Sequence, residues 1–409
     1  MEKNENRLPW VFYGYYFAMF MGMAIFNSFF AAFFTRAGMS SVQLGLLFGL
    51  APLAGLLFQP IWGNLADKAK TKNRILMSAI GGVMFSVLVF YGISMFFHGT
   101  QSGRLILLSA AMILFTIFNN ALVPLQDTIT LDYIVRNGGQ YGPARMSGTL
   151  GYAFMALAAG LLLTRFPDSV FIIYFIVLCI ILLAASRLPK AEGYREKNEK
   201  GSVFEVLRDR EILLLLLLVL VQYIALSFGH TFLGPYMLSL GGNDAMIGIA
   251  NMVQALTEIP FHIRWGRKLM KKFGVHKCLI FSALVGALRW FLTAISRSPL
   301  LLIIATGLEG VMLVPMIVLV VEFINDRMPK RLKATGQTAI TLFSVVLPRT
   351  IGNIGGGALV GLFNKLGYQG TSLSYGLLVP LSLLSVFALG IPLLQAKKKR
   401  EQREAESAI

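Results

Sequence analysis

Long runs of apolar residues alternate with short polar and basic segments along this chain. A helix that crosses the hydrocarbon core of a bilayer needs about 20 mostly apolar residues, and a tilted helix needs more. Twelve runs reach that length, at residues 9–35, 43–66, 74–98, 104–134, 143–165, 169–188, 212–239, 245–271, 276–296, 299–324, 336–363 and 370–395. The pattern predicts an all-α integral membrane protein with twelve transmembrane helices.

Lysine and arginine are distributed unevenly among the segments that join these runs. The segments on one predicted side, which include both termini, carry 29 of them, whereas the loops on the other side carry 5. Because cytoplasmic loops of membrane proteins have an excess of basic residues, the first side is predicted to be cytoplasmic. We therefore expect a multi-pass protein of the plasma membrane with both termini in the cytoplasm.

The longest polar stretch lies near the middle of the chain and separates two sets of six helices. We predict an N-terminal bundle at 1–188, a cytoplasmic linker at 189–211, a C-terminal bundle at 212–396 and a basic cytoplasmic tail at 397–409. A Trp-Gly pair followed by a basic cluster occurs in each half, at Trp62-Gly63 and Trp265-Gly266. Unless the pairs recur by chance, they indicate two pseudo-symmetric bundles, an arrangement in which transporters bind their solute near the bilayer midplane.

Composition supports a membrane location and excludes several functional classes. Only 14% of the residues are charged, against about 25% in soluble domains. The net charge of +17 comes from basic clusters between apolar runs, so we expect contact with the lipid bilayer and not with nucleic acid. Cys179 and Cys278 lie in apolar runs and offer neither a disulfide framework nor a metal site. No nucleophile triad, phosphate-binding loop or zinc spacing occurs, so we expect no enzyme and no cofactor other than a coupling proton.

A few ionisable residues lie inside the predicted spans. They are Asp127, Asp132, Arg145, Glu258, Arg289, Glu309, Glu322 and Arg349. Each centrally placed charge costs about 2.5–3.5 kcal/mol on the scale derived from membrane insertion, and such residues usually mark a substrate or ion pathway. The alternative is that these acids and bases only neutralise one another. That alternative is stronger for Asp132 and Glu322, which lie near span ends.

A buried carboxylate whose arginine can approach or withdraw can act as a proton switch, because the two states favour different protonation. Glu258 and Glu309 suit the switch, and Arg289 suits the modulating base, since arginine stays charged. His230 lies on an apolar face, where a single histidine is more often a core residue than a proton relay. The sequence leaves open which carboxylate carries the proton.

Asp127 and Arg145 flank one short Gly/Pro turn between the fourth and fifth spans. If the fourth helix continues to about residue 137, Asp127 lies ten residues from its end, or ~15 Å along the axis. A direct pair with Arg145 then needs the fourth helix to end earlier or the fifth to begin before Pro143. The sequence permits this pair without requiring it.

The stretch from Leu57 to Lys68 resembles the signature loop of the major facilitator superfamily. The resemblance implies a twelve-helix fold of two bundles, and a cytoplasmic gating motif that includes Gly63, Asp67 and Lys68. Asp127, Arg145 and Tyr152 are similar in spacing to the sugar-binding acid, arginine and stacking aromatic of the lactose-permease-like branch. In that branch the acid is glutamate and the aromatic is tryptophan.

The second half is similar to the coupling region of the same branch and of related nucleoside and phenylpropionate permeases. Glu258-Ile-Pro, Arg289-Trp and Leu308-Glu309-Gly carry this resemblance, which implies proton-coupling roles for Glu258, Arg289 and Glu309. Glu322 and Arg349 are further coupling candidates. Tyr223 and His230 occupy the polar face of the seventh span, and we include them with Asn27 among the residues that could contact the solute.

These observations predict a monomeric, proton-coupled symporter that takes up a small polar solute, a sugar, oligosaccharide or nucleoside, by alternating access. One alternative is a proton-driven efflux antiporter for amphipathic compounds, whose pocket could be lined by phenylalanine and methionine of the first span. A receptor or scaffold without a transport cycle is the alternative from another functional class.

Overall fold

The computed structural model describes residues 7–192, 203–261, 272–329 and 332–407. Its first six long helices are α1 Trp10–Arg36, α2 Ser41–Lys68, α3 Lys72–Phe96, α4 Gln101–Asn137, α5 Tyr141–Arg165 and α6 Val170–Ser186. The next three are α7 Arg210–Ser239, α8 Asp244–Pro260 and α9 Val275–Ala294. The last three are segmented: α10 comprises Pro299–Thr306 and Glu309–Arg327, α11 comprises Lys333–Thr341, the π-helical Leu342–Val346 and Leu347–Lys365, and α12 comprises Gly370–Ser385, the π-helical Val386–Gly390 and Ile391–Ser407.

The predicted all-α class is confirmed, and the described part of the chain contains no strand. Eleven of its helices are long and apolar enough to cross a membrane. The eighth, α8, is described for 17 residues up to Pro260; residues 262–271 of the predicted span 245–271, with the Trp265-Gly266 pair, lie outside the described residues. The most visible difference from the predicted boundaries is α12, which continues as a helix past residue 395 to Ser407.

Two glycines fix the turn between α4 and α5. Gly138 and Gly139 have φ angles of 77° and 124°, a region of backbone conformation that residues with a Cβ rarely adopt. The backbone N–H of Gly138 donates to the carbonyl of Ile134 and closes α4. The chain then reverses within three residues, and Tyr141 becomes the first residue of α5.

Backbone packing divides the chain into two compact units. Unit 1 contains residues Met1–Lys197 and Met237–Leu256, and unit 2 contains Asn198–Tyr236 and Thr257–Ile409. In unit 1, α1 packs along α5 and α6, and α3 packs along α4 and α6. A Cβ at Gly151 of α5 would overlap the backbone carbonyl of Phe17 in α1, so this glycine allows the two helices to approach closely.

The core of unit 1 is a cluster of phenylalanine rings from different helices. Phe90 and Phe171 are stacked with their ring centroids 5.1 Å apart, and Phe30 contacts Phe115 at 5.5 Å. Phe26, one of the residues considered for an apolar pocket, contacts Phe115 at 5.0 Å. The aromatic residues of this part of the first span therefore pack against one another inside the unit.

In unit 2, α9 packs against α10 and against the first segment of α12. Buried aliphatic side chains of α7, α9 and α10 fill the space between these helices, including Leu215, Leu218, Leu279, Leu319 and Ile324. The same helices also carry the buried charged residues described below.

Candidate functional site

Asp127 lies on α4 in unit 1 and is held by two tyrosine hydroxyl groups. Tyr16 of α1 donates to Oδ1 of Asp127 at 2.7 Å, and Tyr141 of α5 donates to the same oxygen at 3.0 Å. Tyr16 is fully buried, whereas Asp127 and Tyr141 are half-buried. Three helices therefore converge on one carboxylate.

Arg145 does not form an ion pair with Asp127 in the described part of the chain. Its guanidinium lies 4.1 Å from the centroid of the Phe20 ring, a favourable cation–π arrangement. α5 begins at Tyr141, before Pro143, so the helix start that the pair requires is present. The Tyr141 hydroxyl, and not Arg145, nevertheless reaches the carboxylate. Tyr141 interacts electrostatically with both charged residues, so it links the two predicted members of the site.

The other residues predicted for the solute site have mixed environments. Tyr152 donates to Oδ1 of Asn251 in α8 at 3.4 Å, and both residues belong to unit 1. Asn27 is exposed on α1. The structure thus surrounds Asp127 with the tyrosines of α1 and α5, and it gives Tyr152 a polar neighbour on α8.

Glu309 of α10 is the most deeply buried carboxylate of the predicted coupling residues. Its side chain has no exposed surface, and the side chain of Arg289 on α9 is 2% exposed. Nη2 of Arg289 forms an ion pair with Oε2 of Glu309. Nε2 of His230 on α7 lies 2.6 Å from Oε1 of Glu309, and the His230 side chain is 38% exposed. Three helices of unit 2 thus contribute one acid and two basic side chains to a single cluster.

Local features of α10 explain how Glu309 reaches this position. The helix is interrupted after Thr306, and Glu309 is the first residue of the second segment, where the helix dipole favours a negative charge. A Cβ at Gly310 would overlap the carbonyl of Thr257 in α8, so only glycine permits this close contact. The backbone nitrogen of Glu258 lies beside the same glycine, and Tyr223 of α7 is within electrostatic range of both Glu258 and Glu309.

Two further coupling candidates lie away from Glu309. Glu322 follows it by thirteen residues on α10, or ~20 Å along the helix, and lines a cavity of about 400 Å³ with Arg327 and Arg400. Arg349 is exposed on α11 just after the π-helical segment, and within the described residues it forms no ion pair. The structure therefore assembles Arg289, Glu309, Glu258 and Tyr223 but leaves Glu322 and Arg349 outside the group.

The predicted gating motif lies at the C-terminal end of α2. Asp67 and Lys68 are exposed there, and the backbone at Gly63 has open space beside it. Asp132, by contrast, is neutralised by a base, as the alternative reading of the buried charges proposes. Lys72, which is almost fully buried, forms an ion pair with it at 2.5 Å. This charge of α4 is satisfied inside unit 1 by the first residue of α3.

A second ionic cluster in unit 2 joins residues that the sequence reasoning assigned to no site. Nε2 of His276 lies 2.7 Å from Glu211, and Arg327 binds Asp209 and Glu211 at 2.7 Å each. Arg400 of α12 lies 3.6 Å from Glu211. Because the sequence placed Asp209 and Glu211 in a polar linker, only their position directly before a long apolar run could have indicated a buried role.

Tyr16 and Tyr141 are the other residues that sequence reasoning missed. Tyrosine occurs both in apolar cores and at polar sites, so its presence in a Phe-rich span gives little information. The position of Tyr141 four residues before Arg145 was the available signal, since residues at that spacing lie on one face of a helix.

A family model, the MFS_1 like family, matches residues 10–367 of the chain. The chain belongs to this family. It is 27% identical over 345 residues to a maltose permease of Geobacillus stearothermophilus, covering 82% of this chain and 83% of the relative. It is 23% identical to a raffinose permease of Escherichia coli, covering 94% and 93%. Among solved structures, the nucleoside transporter NupG superposes with a TM-score of 0.76 at 13% identity, covering 95% of this chain and 99% of that one.

These comparisons confirm the resemblance noted in the sequence and the predicted fold class. The chain is a multi-pass membrane transporter of the permease type, and the relatives it matches are transporters and not enzymes. The likeness to NupG concerns the fold, because the identity is low.

Proposed function

We propose that this family member is a proton-coupled symporter of the plasma membrane, with both termini cytoplasmic, that takes up a small neutral polar solute. The solute class is a sugar, an oligosaccharide or a nucleoside. The observation that carries the proposal is the buried cluster of unit 2, in which Glu309 lies between Arg289 and His230. The protein acts as a monomer and needs no cofactor other than the proton.

Glu309 is the proton carrier in this proposal. Ionised, it neutralises the buried charge of Arg289, and removing one partner from a buried ion pair leaves an uncompensated charge that costs several kcal/mol. Protonation of Glu309 has the same effect on Arg289, so the cluster has two states with different stability. His230 contacts Glu309 and is itself partly exposed, so it offers the proton a route to the buried carboxylate. Glu258 and Tyr223 adjoin the cluster.

Asp127, Arg145 and Tyr152 form the solute site in the same proposal. Asp127 only accepts hydrogen bonds when ionised, and Arg145 only donates them, so together they suit the hydroxyl groups of a neutral solute. Tyr152 offers a ring face for stacking, and Asn27 of the same unit provides a further polar contact. The relatives include a maltose permease and a raffinose permease, which supports this solute class. Alternating access then exposes the site to each side of the membrane in turn.

The test is uptake of labelled maltose, raffinose and uridine into right-side-out vesicles with an imposed inward proton gradient. Wild-type protein should accumulate at least one solute, and a protonophore should abolish the accumulation. Glu309→Gln should lose accumulation but retain exchange of solute across the membrane. Glu322→Gln is the matched control on the same helix and should behave as wild type.

Other outcomes separate the alternatives. Proton-dependent extrusion of the solute would identify an efflux antiporter, and ligand binding without any transport would identify a receptor or scaffold. Loss of accumulation in Glu322→Gln but not in Glu309→Gln would move the proton carrier to Glu322. Accumulation that persists in both variants would contradict the coupling mechanism.

A further inference from the structure

The two oxygens of Asp127 have different surroundings. Oδ1 accepts hydrogen bonds from both Tyr16 and Tyr141, whereas Oδ2 has no hydrogen-bond partner among the described residues. The Tyr16 hydroxyl can also donate to the hydroxyl oxygen of Thr130 at 3.2 Å, because Thr130 gives its own proton to the carbonyl of Gln126. The carboxylate is the closer acceptor and carries a charge, so the stronger hydrogen bond of Tyr16 is the one to Asp127.

The tyrosine rings are themselves fixed by packing. Tyr16 and Tyr141 meet edge to face with their centroids 6.0 Å apart, and Tyr15 contacts Tyr16 in the same manner at 6.3 Å. Such edge-to-face pairs are favourable and restrict ring motion. A carboxylate held by two immobilised donors at one oxygen has little freedom to rotate, so its second oxygen points in a defined direction.

We propose that Tyr16 and Tyr141 are positioning residues that determine solute specificity, because they hold Oδ1 of Asp127 and leave Oδ2 as the acceptor for a solute hydroxyl. This inference rests on the proposed function in one respect: it takes Asp127 as part of the solute site. Neither tyrosine belongs to the residues that the sequence pattern assigns to the solute.

Charge selects the chemical class of the solute. Tyr141 interacts electrostatically with both Asp127 and Arg145, and within the described residues neither charge is neutralised by an ion pair. An anionic solute would be repelled by Asp127 and a cationic one by Arg145. A neutral solute whose hydroxyl group both donates to Oδ2 and accepts from the guanidinium satisfies both residues.

The test measures the dissociation constants of maltose, uridine and 3-phenylpropionate with the purified full-length protein. The variants are Tyr16→Phe and Tyr141→Phe, each alone and combined with Asp127→Asn. Tyr133→Phe is the control. Tyr133 lies on α4, the helix of Asp127, and packs against the Phe12 ring at 5.0 Å, but it does not contact Asp127. Thermal unfolding confirms that each variant is folded, and the half-buried Tyr141 keeps the test intact if the fully buried Tyr16 does not tolerate substitution.

Tyr16→Phe and Tyr141→Phe should each weaken binding of a neutral probe by roughly 10-fold, because residues that share a hydrogen-bond network are energetically coupled. In the Asp127→Asn background the same substitutions should have no further effect, and Tyr133→Phe should match wild type. A purely structural role would instead give additive losses in both backgrounds. Four outcomes would each overturn the inference. They are additive losses of affinity, an equal loss of affinity in Tyr133→Phe, no binding of either neutral probe, and tighter binding of 3-phenylpropionate than of the neutral probes.

These outcomes are distinguishable from failure of the proposed function. If the protein shows proton-driven uptake of an anion that is lost in Glu309→Gln but unchanged in Tyr141→Phe, proton-coupled symport is supported and the proposed role of the tyrosines is wrong. Coupled losses at Tyr16, Tyr141 and Asp127 in binding, without proton-driven uptake, would retain the tyrosine mechanism and overturn symport.

Discussion

Asp127 and Glu309 are both carboxylates in apolar helices, yet the two units satisfy them differently. Asp127 is half-buried, receives only neutral hydroxyl donors and keeps one oxygen without a partner among the described residues. Glu309 has no exposed surface, and each of its oxygens faces a basic side chain, Arg289 or His230. Asp127 can therefore accept a hydrogen bond from an additional donor. The charge of Glu309, in contrast, determines how well Arg289 and His230 are paired.

The difference has an energetic consequence. A hydrogen bond to a charged group contributes about 1.5–3 kcal/mol, so a solute hydroxyl at Asp127 can provide useful binding energy without rearranging the helices. Breaking a buried ion pair costs about 3–5 kcal/mol, so a change of charge at Glu309 is large enough to alter how α7, α9 and α10 pack. Solute binding and coupling thus call for different local environments.

Arg289→Met should give the largest loss of stability, about 3–5 kcal/mol, because it leaves the Glu309 charge buried without its arginine. Chemical unfolding of the purified protein in detergent measures the effect. The double variant Arg289→Met with Glu309→Leu should recover much of the loss, since a well-packed apolar pair can replace a buried ion pair. If the double variant is no more stable than the single one, the pair does not account for the stability of the cluster.

Asp127→Asn should weaken binding of a neutral solute by about 10- to 100-fold, which corresponds to the loss of one charged hydrogen bond. The asparagine oxygen can still accept from Tyr16, so the free energy of unfolding should change by about 1 kcal/mol or less. Isothermal titration and chemical unfolding on the same sample test both parts. A loss of stability as large as that of Arg289→Met would show that Asp127 is a structural residue like Glu309.

The sequence predicted the fold and both carboxylates for a simple physical reason. A charge in an apolar span has a high cost, so Asp127, Arg289 and Glu309 stand out without any three-dimensional information. Partners on other helices do not stand out in this way, because their contacts depend on how the helices pack. Tyr16 and Tyr141 are separated from Asp127 by 111 and 14 positions in the chain, and nothing in a single sequence joins them.

The expected residues that lie elsewhere illustrate the same limit. Glu322 is also a carboxylate in an apolar span, although it lies nearer the span end than Glu309, and its distance along α10 places it beside Arg327 and Arg400. α5 begins early enough for Asp127 and Arg145 to pair, yet Tyr141 binds Asp127 and Arg145 packs on the Phe20 ring. Helix boundaries alone therefore do not decide which side chains meet.

Arg327→Ala should destabilise the protein by about 1 kcal/mol, less than Arg289→Met, because Asp209 is partly exposed and the buried Glu211 keeps Arg400 as a basic neighbour. Arg327 binds two acids, Asp209 and Glu211, but its side chain is 22% exposed. His276 also stays in contact with Glu211. Thermal unfolding of Arg327→Ala and Arg289→Met, measured side by side, tests which substitution destabilises the protein more. An Arg327→Ala loss equal to that of Arg289→Met would mean that burial does not explain the difference between the two clusters.

Asp67→Asn should have the smallest effect on stability, within about 0.5 kcal/mol, because substitutions at exposed positions rarely disturb packing. Asp67 and Lys68 are exposed in unit 1, so nothing in the fold of that unit requires the carboxylate. If the motif gates transport, as its resemblance implies, the same substitution should slow solute uptake severalfold while binding stays unchanged. Uptake rates and dissociation constants measured on the same variant separate these effects. Unchanged uptake would show that Asp67 has no role in the mechanism, and weaker solute binding would indicate that it acts through the Asp127 site. Slow uptake with normal binding and stability would identify a third kind of carboxylate beside Asp127 and Glu309. Its role would depend on its exposure and not on buried partners.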